Sequence, residues 1–208
     1  MRRGALVAWI VALTCAAAPA LADDGAYIAE SFGVATGRGR LAAVVGGPLH
    51  LRIGLGMRFG HLAIEPWFLS DLQTDRVGAF KGIIGGEPAA GSADINAMGV
   101  DARYIVALDR RSAVFVRAGP LVADGTGALA GYHGRGVGFA GGVQLTGKVR
   151  ALGFLWSPLF FLPHGPMITG ALFLDAGYDF YFLRAAGGAA IDARIGHVSV
   201  GFAVGSAF

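Results

Sequence analysis

Residues 198–208 read Val-Ser-Val-Gly-Phe-Ala-Val-Gly-Ser-Ala-Phe. Val198, Val200, Phe202, Val204, Ser206 and Phe208 fall on even positions, and Ser199, Gly201, Ala203, Gly205 and Ala207 on odd ones. Side chains alternate across a strand, so bulky residues on one face and small ones on the other mark a β-strand. A soluble sandwich also contains strands of this kind. The rest of the chain has to decide between the two settings.

The same period recurs upstream. At 49–59, Leu49, Leu51, Ile53, Leu55, Met57 and Phe59 alternate with His50, Arg52, Gly54, Gly56 and Arg58. Gly60 supplies a tight turn, and 62–71 returns as a strand with Leu62, Ile64, Pro66 and Phe68 on one face. Pro66 has no N–H to give a ladder, so a bulge or gap is expected there. Further strands are expected at 25–36, 95–108, 113–122, 136–145, 168–182 and 194–208. In the first of these, Glu30 interrupts the face of Ile28, Phe32 and Val34 and leaves the register open. Glycine-rich or polar loops are expected at 37–47, 72–94, 123–134 and 183–193, and short turns at Gly60 and 109–112.

Composition separates the settings. Charged residues make up 15% of the chain and hydrophobic ones 54%, whereas a soluble domain carries about 25% charge. Yet no stretch after the N-terminal region offers 18 uninterrupted apolar residues, and the longest candidate, 151–163, is broken by Ser157 and Pro158. A chain this apolar without a membrane helix is accommodated by a closed barrel. The barrel bonds every backbone group between strands and turns an apolar face to lipid.

The N-terminus reads as a secretory signal. Arg2 and Arg3 precede an apolar run at 4–18, and Ala20-Leu21-Ala22 forms a small-x-small cleavage site before Asp23. The expected domains are therefore a cleaved signal peptide, 1–22, and a barrel, 23–208. An uncleaved anchor is the alternative, but the run is short for a span. Ala12-Leu13-Thr14 before Cys15 matches a lipobox poorly. Cleavage would remove two of the 17 Lys and Arg and none of the 14 acids, leaving 15 − 14 = +1 and no cysteine. Such a balance gives no footprint for nucleic acid, and disulfides play no part.

Short turns alternating with longer loops, apolar alternation throughout and a terminal aromatic strand resemble the small bacterial outer-membrane β-barrels of the OmpA-barrel, OmpX and OmpW type. The resemblance covers 23–208 and is one of pattern, not of a motif. It implies an all-β, closed antiparallel up-and-down barrel in the outer membrane, with eight strands. Ten is the alternative if 41–45 and 151–162 add strands, since bacterial barrels have even counts. It also implies that Phe202, Val204 and Phe208 form the assembly signal read by the barrel-assembly machinery. The other partners it implies are periplasmic chaperones in transit, and outer-membrane lipid and lipopolysaccharide at the destination.

Candidate chemistry lies on the inward faces. Arg52, Arg58, Glu65, Asp71, Asp101, Arg103, Arg117, Asp175 and Asp179 all fall opposite apolar positions. Eight strands enclose just enough space for side chains, and charges removed from water must be paired. These residues are therefore read as a lumen-filling charge network, with a polar solute path as the alternative. The near balance of signs does not suit an ion-selective pore, which lines itself with one sign. Asp175 and Asp179 share a face and are expected to serve arginines opposite. Tyr178 and Phe182 suit an outward aromatic girdle.

His197 and Ser199 share a strand face, and His-x-Ser resembles the motif of the outer-membrane lipid A deacylases. In that family an Asn follows the motif where Val200 stands here, and no Glu lies between Ser199 and Phe208. The five histidines, at 50, 61, 133, 164 and 197, show no ligand spacing. Residues 134–138, Gly-Arg-Gly-Val-Gly, lead into a strand rather than a helix and so do not form a nucleotide loop. No cofactor, metal or catalytic residue is expected. The function expected is a structural, envelope or surface-interaction role with a plugged lumen. A narrow channel for small or apolar solutes is the alternative, and a hydrolase using His197 and Ser199 the third reading.

Overall fold

The computed structural model describes residues 24–38, 49–72, 94–150 and 167–208. The signal expected at 1–22 and the segments 41–45 and 151–162, considered as extra strands, lie outside the described residues. Eight antiparallel strands close into a barrel in chain order. They are β1 Gly25–Arg38, β2 Leu49–Phe59, β3 Leu62–Leu72, β4 Ile95–Ala107, β5 Ser112–Gly125, β6 Tyr132–Arg150, β7 Met167–Ala185 and β8 Ala190–Gly205. Closure is made by β1 against β8, where Phe32 pairs with Val200 and Val34 with Val198. Every strand thus has a paired neighbour on both sides, as a lipid-facing sheet requires.

One end of the barrel carries the start of β1, the end of β8, the Gly60 turn and the 108–111 turn, and is called the turn end here. At the opposite end β1, β3, β5 and β7 finish, and this end is called the loop end. At the turn end Gly60 adopts φ 60°, and its N–H donates to Asp24 Oδ1 at 2.8 Å. At the next turn Asp109 accepts from the amides of Arg111 (2.7 Å) and Ser112 (2.8 Å), and from the Ser112 hydroxyl at 2.6 Å.

Several boundaries differ from the sequence reading. β6 and β7 are each 19 residues long. Much of what reads as loop at 123–134 and 183–193 is therefore strand. Gly125 still pairs with Ile95, Tyr132 with Ala185, and Leu183 with Ile191. Only Ala186 to Ala189 turn the chain between β7 and β8. Glycine and small polar residues read as loop because they lack apolar period, yet in a ladder they are bonded through the backbone like any other residue.

Pro66 makes a gap and not a bulge. β2 and β3 pair at Gly54–Trp67 and again at Met57–Ile64 in unchanged register, with Leu55–Pro66 and Gly56–Glu65 missing between them. On its other side Pro66 stays opposite Val100. Pro120 has the same effect between β4 and β5, where pairing stops at Gly99–Leu121 and resumes at Ala102–Ala118.

The outward wall is apolar, with Leu55 (59% exposed), Val116 (60%) and Leu174 (51%) among its residues. Glu30 belongs to this wall. It faces out between Ile28 and Phe32 along β1, opposite Ile53 on β2 and Phe202 on β8. The register left open by the sequence is thus the simple alternating one, with a carboxylate on the lipid side.

Candidate functional site

The lumen is filled in three layers. Nearest the loop end Trp67, Leu69, Ile95, Leu121, Tyr181 and Ile195 pack together with their neighbours. Nearest the turn end Tyr27, Ile105, Phe115 and Phe173 pack with several alanines, and Phe208 lies against them. Between the two apolar layers sits the charge. Each strand contributes through its inward parity, and glycine makes the room. A Cβ at Gly56 would collide with the Tyr27 ring, and one at Gly201 with Phe173.

The charged layer is a chain of alternating signs. Arg52 Nη2 donates to Glu65 Oε1 at 2.7 Å and to Asp101 Oδ2 at 2.9 Å. Asp101 Oδ2 also accepts from Arg117 Nη1 at 3.3 Å, and Arg117 Nη2 reaches Asp175 Oδ2 at 2.8 Å. The Ser199 hydroxyl donates to Asp175 Oδ1. Arg103 lies 3.7 Å from Glu65 Oε2 and donates to Gln144 Oε1 at 2.9 Å, and the Tyr27 hydroxyl donates to Glu65 at 2.9 Å. Rings cover the guanidinium planes, with Arg52 4.5 Å from Trp67 and Arg103 3.7 Å from Phe115. Three arginines meet three carboxylates, so the layer is neutral. Each of these six groups is buried, and removing water from such charges is tolerated only because they bond one another.

The other expected network members stand apart. Arg58 is at the turn-end mouth, donating to the carbonyls of Gly60 at 2.9 Å and Ala207 at 3.0 Å. Asp71 stands opposite His50 in the β2–β3 ladder, and its side chain lies outside the described residues. Asp179 does not serve an arginine. It lies 3.5 Å from His197 Nδ1, and His197 stacks on His50 with ring centroids 4.4 Å apart. The network also includes residues that carry no charge signal in the sequence, namely Tyr27, Gln144 and Ser199.

A cavity of about 10 Å³ remains among Arg52, Glu65, Arg103, Arg117 and Asp175, room for one water molecule. His197 and Ser199 share the lumen side but do not engage each other. The serine proton is directed to Asp175, and neither ring nitrogen of His197 makes a hydrogen bond. Among the described residues no group of three His, Cys, Asp or Glu is placed to hold a metal ion. Phe202 and Val204 face outward, but Phe208 leaves their row. After Gly205 the chain turns, and the Phe208 ring comes to 5.5 Å from inward-facing Tyr27.

No family model and no curated protein matches the chain. Among solved structures, Neisserial surface protein A matches with a TM-score of 0.57 at 16% identity, over 88% of this chain and 97% of that one. Ail, the attachment invasion locus protein of Yersinia pestis, matches in complex with the heparin analogue sucrose octasulfate. That TM-score is 0.45 at 11% identity, over 88% of this chain and 99% of Ail. A second Ail structure gives 0.42 at 10%, over 88% and 98%. The chain has the fold of the small outer-membrane β-barrels. Side chains fill the lumen of this barrel, so a solute crossing it would have to displace them.

Proposed function

We propose that the chain is a non-enzymatic outer-membrane protein whose sealed barrel presents its loop end at the cell surface, for envelope integrity or surface interaction. One observation carries this reading: the charged layer is neutral, linked arginine to carboxylate across the lumen, and enclosed between two apolar layers. An ion entering the lumen would have to leave its water at an apolar seal and then displace paired charges. The partners are the surrounding lipid and lipopolysaccharide, with periplasmic chaperones and the assembly machinery before insertion. The outward row of Phe202 and Val204 suits recognition by that machinery. Residues 1–22 are the cleaved signal in this reading, and 23–208 the mature barrel.

Planar-bilayer recording with the refolded barrel tests the seal. A flat trace at 1 M salt is expected, and discrete openings would replace this reading with the narrow channel. An epitope inserted in 73–93 tests the orientation. It is expected to be cut by protease on intact cells, and protection would turn the barrel over.

A further inference from the structure

Above the apolar belt, at the loop end, the outward faces of β6, β7 and β8 change character together. On β6 Phe139 and Val137 give way to Arg135 and His133, on β7 Phe182 gives way to Arg184, and on β8 Val198 gives way to Arg194 and Asp192. The register brings these positions side by side. Arg135 is opposite Phe182, which is opposite Asp192, while Arg194 is opposite Phe180 and Arg184 opposite His133.

The result is a groove of about 740 Å³ with guanidinium groups around an apolar base. Its lining includes Arg135, Arg184, Asp192 and Phe182, and the Phe182 side is 51% exposed. Beside it the Arg194 guanidinium lies 5.8 Å from the centre of the Phe180 ring. Among the described residues none of the three arginines has an ion-pair partner. Asp124 is engaged by His133 at 2.5 Å and does not line the groove, so Arg135 and Arg184 face one lining acid, Asp192, with Arg194 as a further cation beside it.

Unpaired guanidinium groups directly above exposed aromatic and aliphatic residues fit a ligand with phosphate above and acyl chains below. We infer that the β6–β8 sector binds the phosphate-bearing headgroup of an outer-leaflet lipid. Arg135, Arg184 and Arg194 hold the phosphates, and Phe182, Val137 and Phe139 hold the chains. The inference rests on the proposed orientation, which places the loop end in the lipopolysaccharide leaflet and so commits the ligand to the lipid A moiety.

The test uses the refolded full barrel, with heat-modifiable mobility as the check of folding and native mass spectrometry as the readout. Bis-phosphorylated lipid A is expected to stay bound. Removing its phosphates, or the triple change R135Q/R184Q/R194Q, is expected to weaken retention on the order of a hundredfold, each arginine near a charged surface being worth about 1 kcal/mol. K148Q, at the turn end, is expected to leave it unchanged. Equal retention of the dephosphorylated lipid, wild-type retention by a folded triple variant, or an equal loss in K148Q would overturn the site. So would inorganic phosphate binding as tightly as lipid A, which would mark a free-anion site. Surface cleavage of the tag in 73–93 reports the orientation independently. Failed lipid binding with a surface-exposed tag therefore overturns this inference alone.

Discussion

Arg52 on β2 bonds Asp101 on β4 at 2.9 Å, reaching across the strand that lies between them. The same nitrogen bonds Glu65 on that intervening strand at 2.7 Å. One guanidinium thus ties three staves of the wall together from inside. Replacing it with alanine would leave three buried carboxylates to share two cations, Arg103 and Arg117. Arg52→Ala is expected to destabilise the barrel by about 3–5 kcal/mol, the range for breaking a buried pair. Urea unfolding in lipid vesicles, followed by tryptophan fluorescence, measures this. A loss below about 1 kcal/mol would mean that water already screens the layer.

Tyr27 and Gly56 form a second interlocked pair. They are opposite in the β1–β2 ladder, and the ring covers the glycine while its hydroxyl bonds Glu65 at 2.9 Å. A methyl group at Gly56 would push into the ring. Gly56→Ala is expected to cost about 1–3 kcal/mol by overpacking. Gly60→Ala makes no such contact but is strained by its φ of 60°, costing about 1 kcal/mol. The two variants separate packing from backbone strain when their midpoints are compared in the same unfolding assay.

Glu30 faces lipid between Ile53 and Phe202, and no hydrogen-bond or ion-pair partner is found for it among the described residues. A carboxylate on a lipid-facing wall costs stability, though less than the roughly 2–4 kcal/mol of a basic residue at mid-membrane. Glu30→Leu is expected to raise the unfolding midpoint in vesicles, by a gain under about 2 kcal/mol. An unchanged or lowered midpoint would contradict an unpaired lipid-facing carboxylate.

The Asp109 turn responds to acid in a defined direction. The Ser112 hydroxyl, then the amides of Arg111 and Ser112, hold its carboxyl below the ordinary aspartate range. The unfolded chain therefore takes up this proton at higher pH than the folded one. The contribution of the turn is complete above the ordinary aspartate value of about 3.9 and is lost as pH falls through the folded value. Hydrogen exchange at the Ser112 amide is expected to accelerate over that window beyond its intrinsic pH dependence. Asp109→Asn is expected to remove the extra acceleration.

Much of this protein is legible in its sequence. Alternation at 49–59 and 198–204 shows which side chains face lipid, because side chains on a strand point alternately to its two faces and lipid accepts only apolar ones. The same parity put Arg52, Glu65, Asp101, Arg103, Arg117 and Asp175 inside. Apolar residues at inward positions gave no comparable signal. Leu69, Ile95, Tyr181 and Ile195 look like any other apolar residue in sequence, yet they form the layer that closes the lumen toward the loop end.

Partner choice was decided only by tertiary structure. Sequence gives the face of a strand, not the height at which strands on opposite sides of a barrel meet. Register and stagger set that height, so Asp175 meets Arg117 while Asp179, four residues on, meets His197. The same stagger gathers Arg135, Arg184 and Arg194 on one sector of the rim and brings Phe208 under Tyr27, out of the outward row. The sequence by itself determined a membrane wall and its polarity. Which charges neutralise each other inside it depends on distances that only the closed barrel fixes, because a hydrogen-bonded ion pair needs donor and acceptor within about 3 Å and the Coulomb attraction grows as the charges approach.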